Sequence, residues 1–107
     1  MILGMNKVIL AGYCEQEVAY HTTGGGTQCA SFRIICERRG MKPKETVTAV
    51  VKVNVYSAAM VELLKSRFVL SGYMLVEGEL MTREGARGET IEVRAKELIF
   101  VDELDQS

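Results

Sequence analysis

Five runs with strand character, broken once between the third and fourth by a single short helical run, constrain this chain more than any motif in it. A doubly wound α/β fold needs a helix after nearly every strand, so this order points to an all-β domain with one short helix. The 107 residues amount to one domain, long enough to bury about two-thirds of the surface the unfolded chain exposes. Residues 1–101 are read as that domain, and 102–107 as a short, loosely ordered acidic tail.

The runs differ in clarity. Asn6 to Cys14 alternates in part and ends around Gly12 and Glu15, a first strand. His21, Thr22, Thr23 and Gly24–Gly26 then read as loop. From Gln28 to Glu37, Ala30, Phe32, Ile34 and Cys36 share one face while Ser31, Arg33 and Glu37 share the other, with Ile35 as an apolar exception. Arg38 to Glu45 is polar, holds Gly40 and the only proline, and reads as a hairpin tip. Val47 to Tyr56 is the clearest strand, with Val47, Ala49, Val51, Val53 and Val55 facing the core, and Thr48, Val50, Lys52, Asn54 and Tyr56 facing away. Ser57 suits an N-cap for a helix over Ala58–Arg67, with Lys65 and Arg67 near its C-terminal dipole. Gly72 to Arg83 and Glu89 to Val101 complete the strands, separated by Glu84–Gly88 as a mobile loop. This β-β-β-α-β-β order is that of the five-stranded oligonucleotide-binding barrel.

Several kinds of chemistry are excluded. An odd set of three cysteines, Cys14, Cys29 and Cys36, argues against a secreted disulfide framework. Cys36 reads as strand filling and Cys29 as partly exposed. With His21 they are too dispersed for a zinc knuckle, and one histidine beside loop glycines is a poor base for a cysteine nucleophile. No catalytic residue, metal or cofactor is expected. Gly24–Gly26 opens into a strand, whereas a phosphate-binding glycine loop opens into a helix. The acid pairs Glu15/Glu17 and Glu77/Glu79 read as surface charge. No run of about 18 apolar residues and no leader pattern occurs, so the expectation is a soluble, cytoplasmic protein without membrane partners, an organellar place remaining open.

Charge points elsewhere. The formal net charge is −1, yet residues 1–101 carry 13 basic and 11 acidic side chains. Between Arg33 and Lys52 the bias sharpens, with Arg33, Arg38, Arg39, Lys42, Lys44 and Lys52 against only Glu37 and Glu45. Phosphate binding depends on such local density. On the third strand Lys52, Asn54 and Tyr56 suit a single strand of nucleic acid, offering a phosphate partner, a hydrogen-bonding amide and a stacking ring. Arg33 extends that surface.

Met5–Gly12, Ala30-Ser31-Phe32-Arg33-Ile34, Val55-Tyr56-Ser57 and Val76-Glu77-Gly78-Glu79-Leu80, in this order, resemble bacterial-type single-stranded DNA-binding proteins over about residues 5–101. The resemblance implies an oligonucleotide-binding barrel that assembles as a homotetramer, less often a dimer, and binds single-stranded DNA in replication, recombination and repair. It implies backbone and stacking roles for Lys52 and Tyr56, a basic contact at Lys7, and a groove position for Arg33. Arg83 and Arg87 would flank a hairpin reaching over DNA. Tryptophan is absent, and family stacking positions are filled by Val50, by Arg38 or Arg39, and by Glu84–Gly88. The long tail through which relatives recruit replication proteins is not matched. The tailless primosomal replication proteins, assembly modules on the same fold, are therefore an alternative, as is an accessory subunit of an RNA-processing complex.

Overall fold

The computed structural model describes residues 3–101. Its elements are β1 (Val8–Gly12), β2 (Ala19–Thr22), β3 (Gln28–Arg39), β4 (Thr46–Val55), α1 (Ala58–Arg67), β5 (Met74–Gly85) and β6 (Gly88–Phe100). All strands lie in one sheet, in the order β1-β5-β6-β4-β3-β2. Every pairing is antiparallel except β4–β6, where Val53 meets Val93 and Asn54 meets Arg94.

Two expectations are corrected. There are six strands rather than five, because Ala19–Thr22, of which His21 and Thr22 read as loop, pairs with Gln28–Ser31 of β3. All four of its residues are exposed, so it carries no burial alternation from which a strand could be read. The sheet is also not a closed barrel. Its two ends approach only where Tyr13 and Ile35 exchange backbone hydrogen bonds of 3.1 and 2.7 Å. The tail, 102–107, lies outside the described residues.

The core sits on one face of the sheet. Phe32, Ile34, Val53, Val55, Met74, Val76, Val93, Ala95 and Leu98 are buried there, with Val61 and Leu64 of α1 packed among them. The helix starts and stops for local reasons. Ser57 Oγ accepts from the Met60 N–H at 3.4 Å, and Phe68 turns extended while its N–H still donates to the Leu64 carbonyl. On β3 the predicted inward face holds, and on β4 the inward face is buried from Val53 onward. Thr46–Val50 is exposed on both faces, because the β3–β4 hairpin projects past the body and has nothing to pack against.

The turns are tighter than the sequence suggested. Strands β5 and β6 pair up to Gly85 and Gly88, so the predicted five-residue loop is a two-residue turn, with Gly88 at φ 110 supplying the left-handed backbone. Cys29 is buried, not partly exposed, while Cys36 is half-buried and Cys14 fully buried; all three thiols are free.

Gly12 carries the closest approach in the fold. A Cβ there would collide with the Ile35 carbonyl where β1 crosses β3. Gly12→Ala should therefore cost about 1–3 kcal/mol, as overpacking does. The check is urea denaturation, with a lowered midpoint and an unchanged slope.

Candidate nucleic-acid interface

Strand register sets the outer face in rows. Glu79, Arg94, Asn54 and Ser31 lie side by side across β5, β6, β4 and β3. The next row holds Met81 opposite Glu92 and Lys52 opposite Arg33. One step along the parallel register joins these pairs, bringing Lys52 beside Glu92. Further out, Arg83 stands opposite Thr90, and Ile35 opposite Val50. Because side chains alternate along each strand, all of these point away from the core.

Tyr56 is fixed on this face by two cations. Arg83 Nη1 donates to its hydroxyl at 3.2 Å, and the Arg94 guanidinium lies 5.5 Å from the ring centroid. The Arg83–Tyr56 hydrogen bond spans the rows that hold Glu92 and Asn54, and both of these polar residues are buried, at 7 % and 3 % exposure. Tyr56 itself remains 37 % exposed.

Asn54 is therefore not the open hydrogen-bonding group the strand pattern suggested. Its amide nitrogen donates to Glu92 Oε1 at 2.8 Å and approaches the Val93 carbonyl at 3.5 Å. Reading β4 by itself leaves out the neighbours that cover Asn54. The parallel pairing sets β6 against it, and the Met81 sulfur of β5 lies 4.0 Å from its amide nitrogen. Glu92 Oε2 also accepts from the Thr90 hydroxyl at 3.0 Å. Burial pushes this carboxyl up, but hydrogen bonds from Asn54 and Thr90, with the charges of Lys52 and Arg83, outweigh it and hold Glu92 below the ordinary carboxylate value.

The other predicted residues divide. Arg33 and Lys52 are cross-strand partners, and the grooves beside them are lined by Gln16, Glu17, Ser31, Ile35 and Val50. Arg38 and Arg39 lie on the projecting hairpin, where an Arg38 guanidinium nitrogen donates to the Arg39 carbonyl at 3.1 Å. Arg87 forms the exposed β5–β6 turn. Lys7, just before β1, forms an ion pair of 3.4 Å with Glu77 of β5. The structure thus gathers Arg33, Lys52, Tyr56 and Arg83, places Arg38, Arg39 and Arg87 on two flanking arms, and puts Lys7 on the β1 side of the sheet, paired with Glu77. Sequence reading missed Arg94, although its alternation with the buried Val93 and Ala95 marks it as outward-facing. Among the described residues, no group of histidines, cysteines and carboxylates is arranged to hold a metal, and no helix is long and apolar enough to cross a membrane.

Residues 5–105 match the model of the single-strand binding protein family. The chain belongs to that family. No curated protein sequence matches it. Among solved structures, it is similar to the Plasmodium falciparum single-strand binding protein in complex with single-stranded DNA, with 22% identity and a TM-score of 0.82. The match covers 95% of this chain and 99% of that one, and at this identity it shows a shared fold. Members of this family are binding proteins rather than enzymes.

The network around Glu92 makes a pH-dependent contribution to folding. A carboxyl whose pKa is depressed by folding stabilises fully above its unfolded value, and the gain is lost as pH falls through the folded value. Urea titrations of the wild type and Glu92→Gln should therefore show a stability difference at pH 7 that shrinks below about pH 4.5.

Proposed function

We propose that the protein binds single-stranded DNA without sequence readout, protecting or organising it in replication, recombination and repair. The observation that carries this reading is the Tyr56 ring held between Arg83 and Arg94, beside the Arg33–Lys52 pair. A ring fixed among cations supplies what an unpaired strand needs, stacking for a base and charge for its phosphates. Family membership and the fold shared with a protein solved on single-stranded DNA support it. Lys52, Arg33 and Arg83 neutralise phosphates, Tyr56 stacks, and the exposed Val50 beside the half-buried Ile35 gives an apolar contact. Arg38, Arg39 and Arg87 extend the basic path along both arms.

Self-assembly accompanies this reading, as a homotetramer in preference to a dimer. Strand β1 ends the sheet, and among the described residues its only pairing beyond β5 is the Tyr13–Ile35 bridge, so none of them pairs with the edge at Ile9. Around it Ile9, Tyr73, Ile99 and Val101 expose apolar surface, at 59 %, 54 %, 47 % and 56 %. An open strand edge beside apolar groups suits a second copy of the chain.

Titration of labelled oligo-dT at two salt concentrations tests the binding; no binding at low salt would sink it. Tyr56→Ala should weaken affinity by about 1–3 kcal/mol, roughly fivefold to a hundredfold. Lys52→Ala should mainly flatten the salt slope, by about 0.7. In light scattering the wild type should exceed its 11.9 kDa chain mass several-fold, and Ile9→Lys should reduce it.

A further inference from the structure

Of the acidic side chains among the described residues, Glu92 on this face is the buried one. Glu92 is 7 % exposed and lies in register between Met81 of β5 and Lys52 of β4. Asn54 and Thr90 hold its two oxygens at 2.8 and 3.0 Å, within range of the charges on Lys52 and Arg83. An amide in its place would still give Asn54 an acceptor and Thr90 a partner, because the first needs an acceptor and the second can give or take a hydrogen bond. What only a carboxylate adds is a negative charge beneath a path that phosphates would follow.

We propose that Glu92 is a specificity-determining residue of this face, an internal counter-ion that cancels part of the charge of Lys52 and Arg83 so that single strands are preferred over duplex. The proposal rests on the reading that this face binds single-stranded DNA. Phosphate attraction is common to duplex and single strands, and it is stronger for duplex, whose charge density is higher. Stacking on Tyr56 is open only to a strand with unpaired bases. Withdrawing one unit of positive charge weakens the shared attraction and leaves the stacking intact, so the preference for single strands grows. Asn54 and Thr90 keep the carboxylate in position for this, and the Arg83–Tyr56 bond keeps one of its cations beside the stacking ring.

The test compares the full chain with Glu92→Gln, using labelled oligo-dT and a labelled hairpin duplex of equal nucleotide number over a range of salt. Glu92→Gln should tighten duplex binding about fivefold or more and oligo-dT binding about twofold, with a duplex salt slope steeper by about 0.9. Lys52→Gln added to Glu92→Gln should return the preference toward that of the wild type. An unchanged or increased preference for oligo-dT in Glu92→Gln, with wild-type oligo-dT binding intact, overturns the counter-ion role alone. Absence of oligo-dT binding by the wild type overturns both this proposal and the reading beneath it. Should Glu92→Gln fail to fold, the wild type decides by NMR titration of the Glu92 carboxyl carbon. Its pKa should rise when oligo-dT binds, because phosphates draw Lys52 and Arg83 away, and a pKa that stays put overturns the proposal.

Discussion

The two halves of this sheet meet along one short parallel seam, Val53 with Val93 and Asn54 with Arg94, and the rest of the molecule depends on it. On one side stands the antiparallel set β2-β3-β4, on the other β1-β5-β6. Inward, the seam brings Val53 and Val93 together in the core, where Val61 and Leu64 of the helix also pack. Outward, it brings Lys52 and Asn54 up to Glu92 and Arg94. A slip of one residue would turn every side chain of a strand to the opposite face, so core burial also fixes which polar groups share the outer face.

That coupling explains how much of the protein could be read from its sequence. The helix was legible to the residue, Ala58–Arg67, because its cap is local: a serine hydroxyl answers an N–H three residues on. The alternation of β3 was legible because one of its faces is buried through most of its length. Strand β2 was not, since all of its residues face solvent and only pairing with β3 defines it. Nor was the open closure at Tyr13 and Ile35, which joins residues far apart in the chain through backbone groups alone.

The candidate site divides along the same line. Lys52, Arg33 and Tyr56 could be found from alternation within single strands. The burial of Asn54, the clamp of Arg83 and Arg94 on Tyr56, and the ion pair of Lys7 with Glu77 are products of register between strands distant in sequence. No spacing within one strand encodes them. A tyrosine held by cations from β5 and β6 is also better prepared than a free one, because part of its rotamer entropy is lost on folding rather than on binding.

The projecting β3–β4 hairpin has a consequence of its own. From Thr46 to Val50 the strand is exposed on both faces, so its backbone ladder holds the arm together with no core beneath it. Segments with few buried apolar contacts open and bend at low free-energy cost, while the body they spring from stays rigid. The molecule is thus a stiff palm with a compliant finger. The palm sets where a chain is gripped, and the finger can follow a polymer whose path differs from one binding event to the next. In the proposed binding mode, sequence tolerance then has a mechanical source as well as a chemical one.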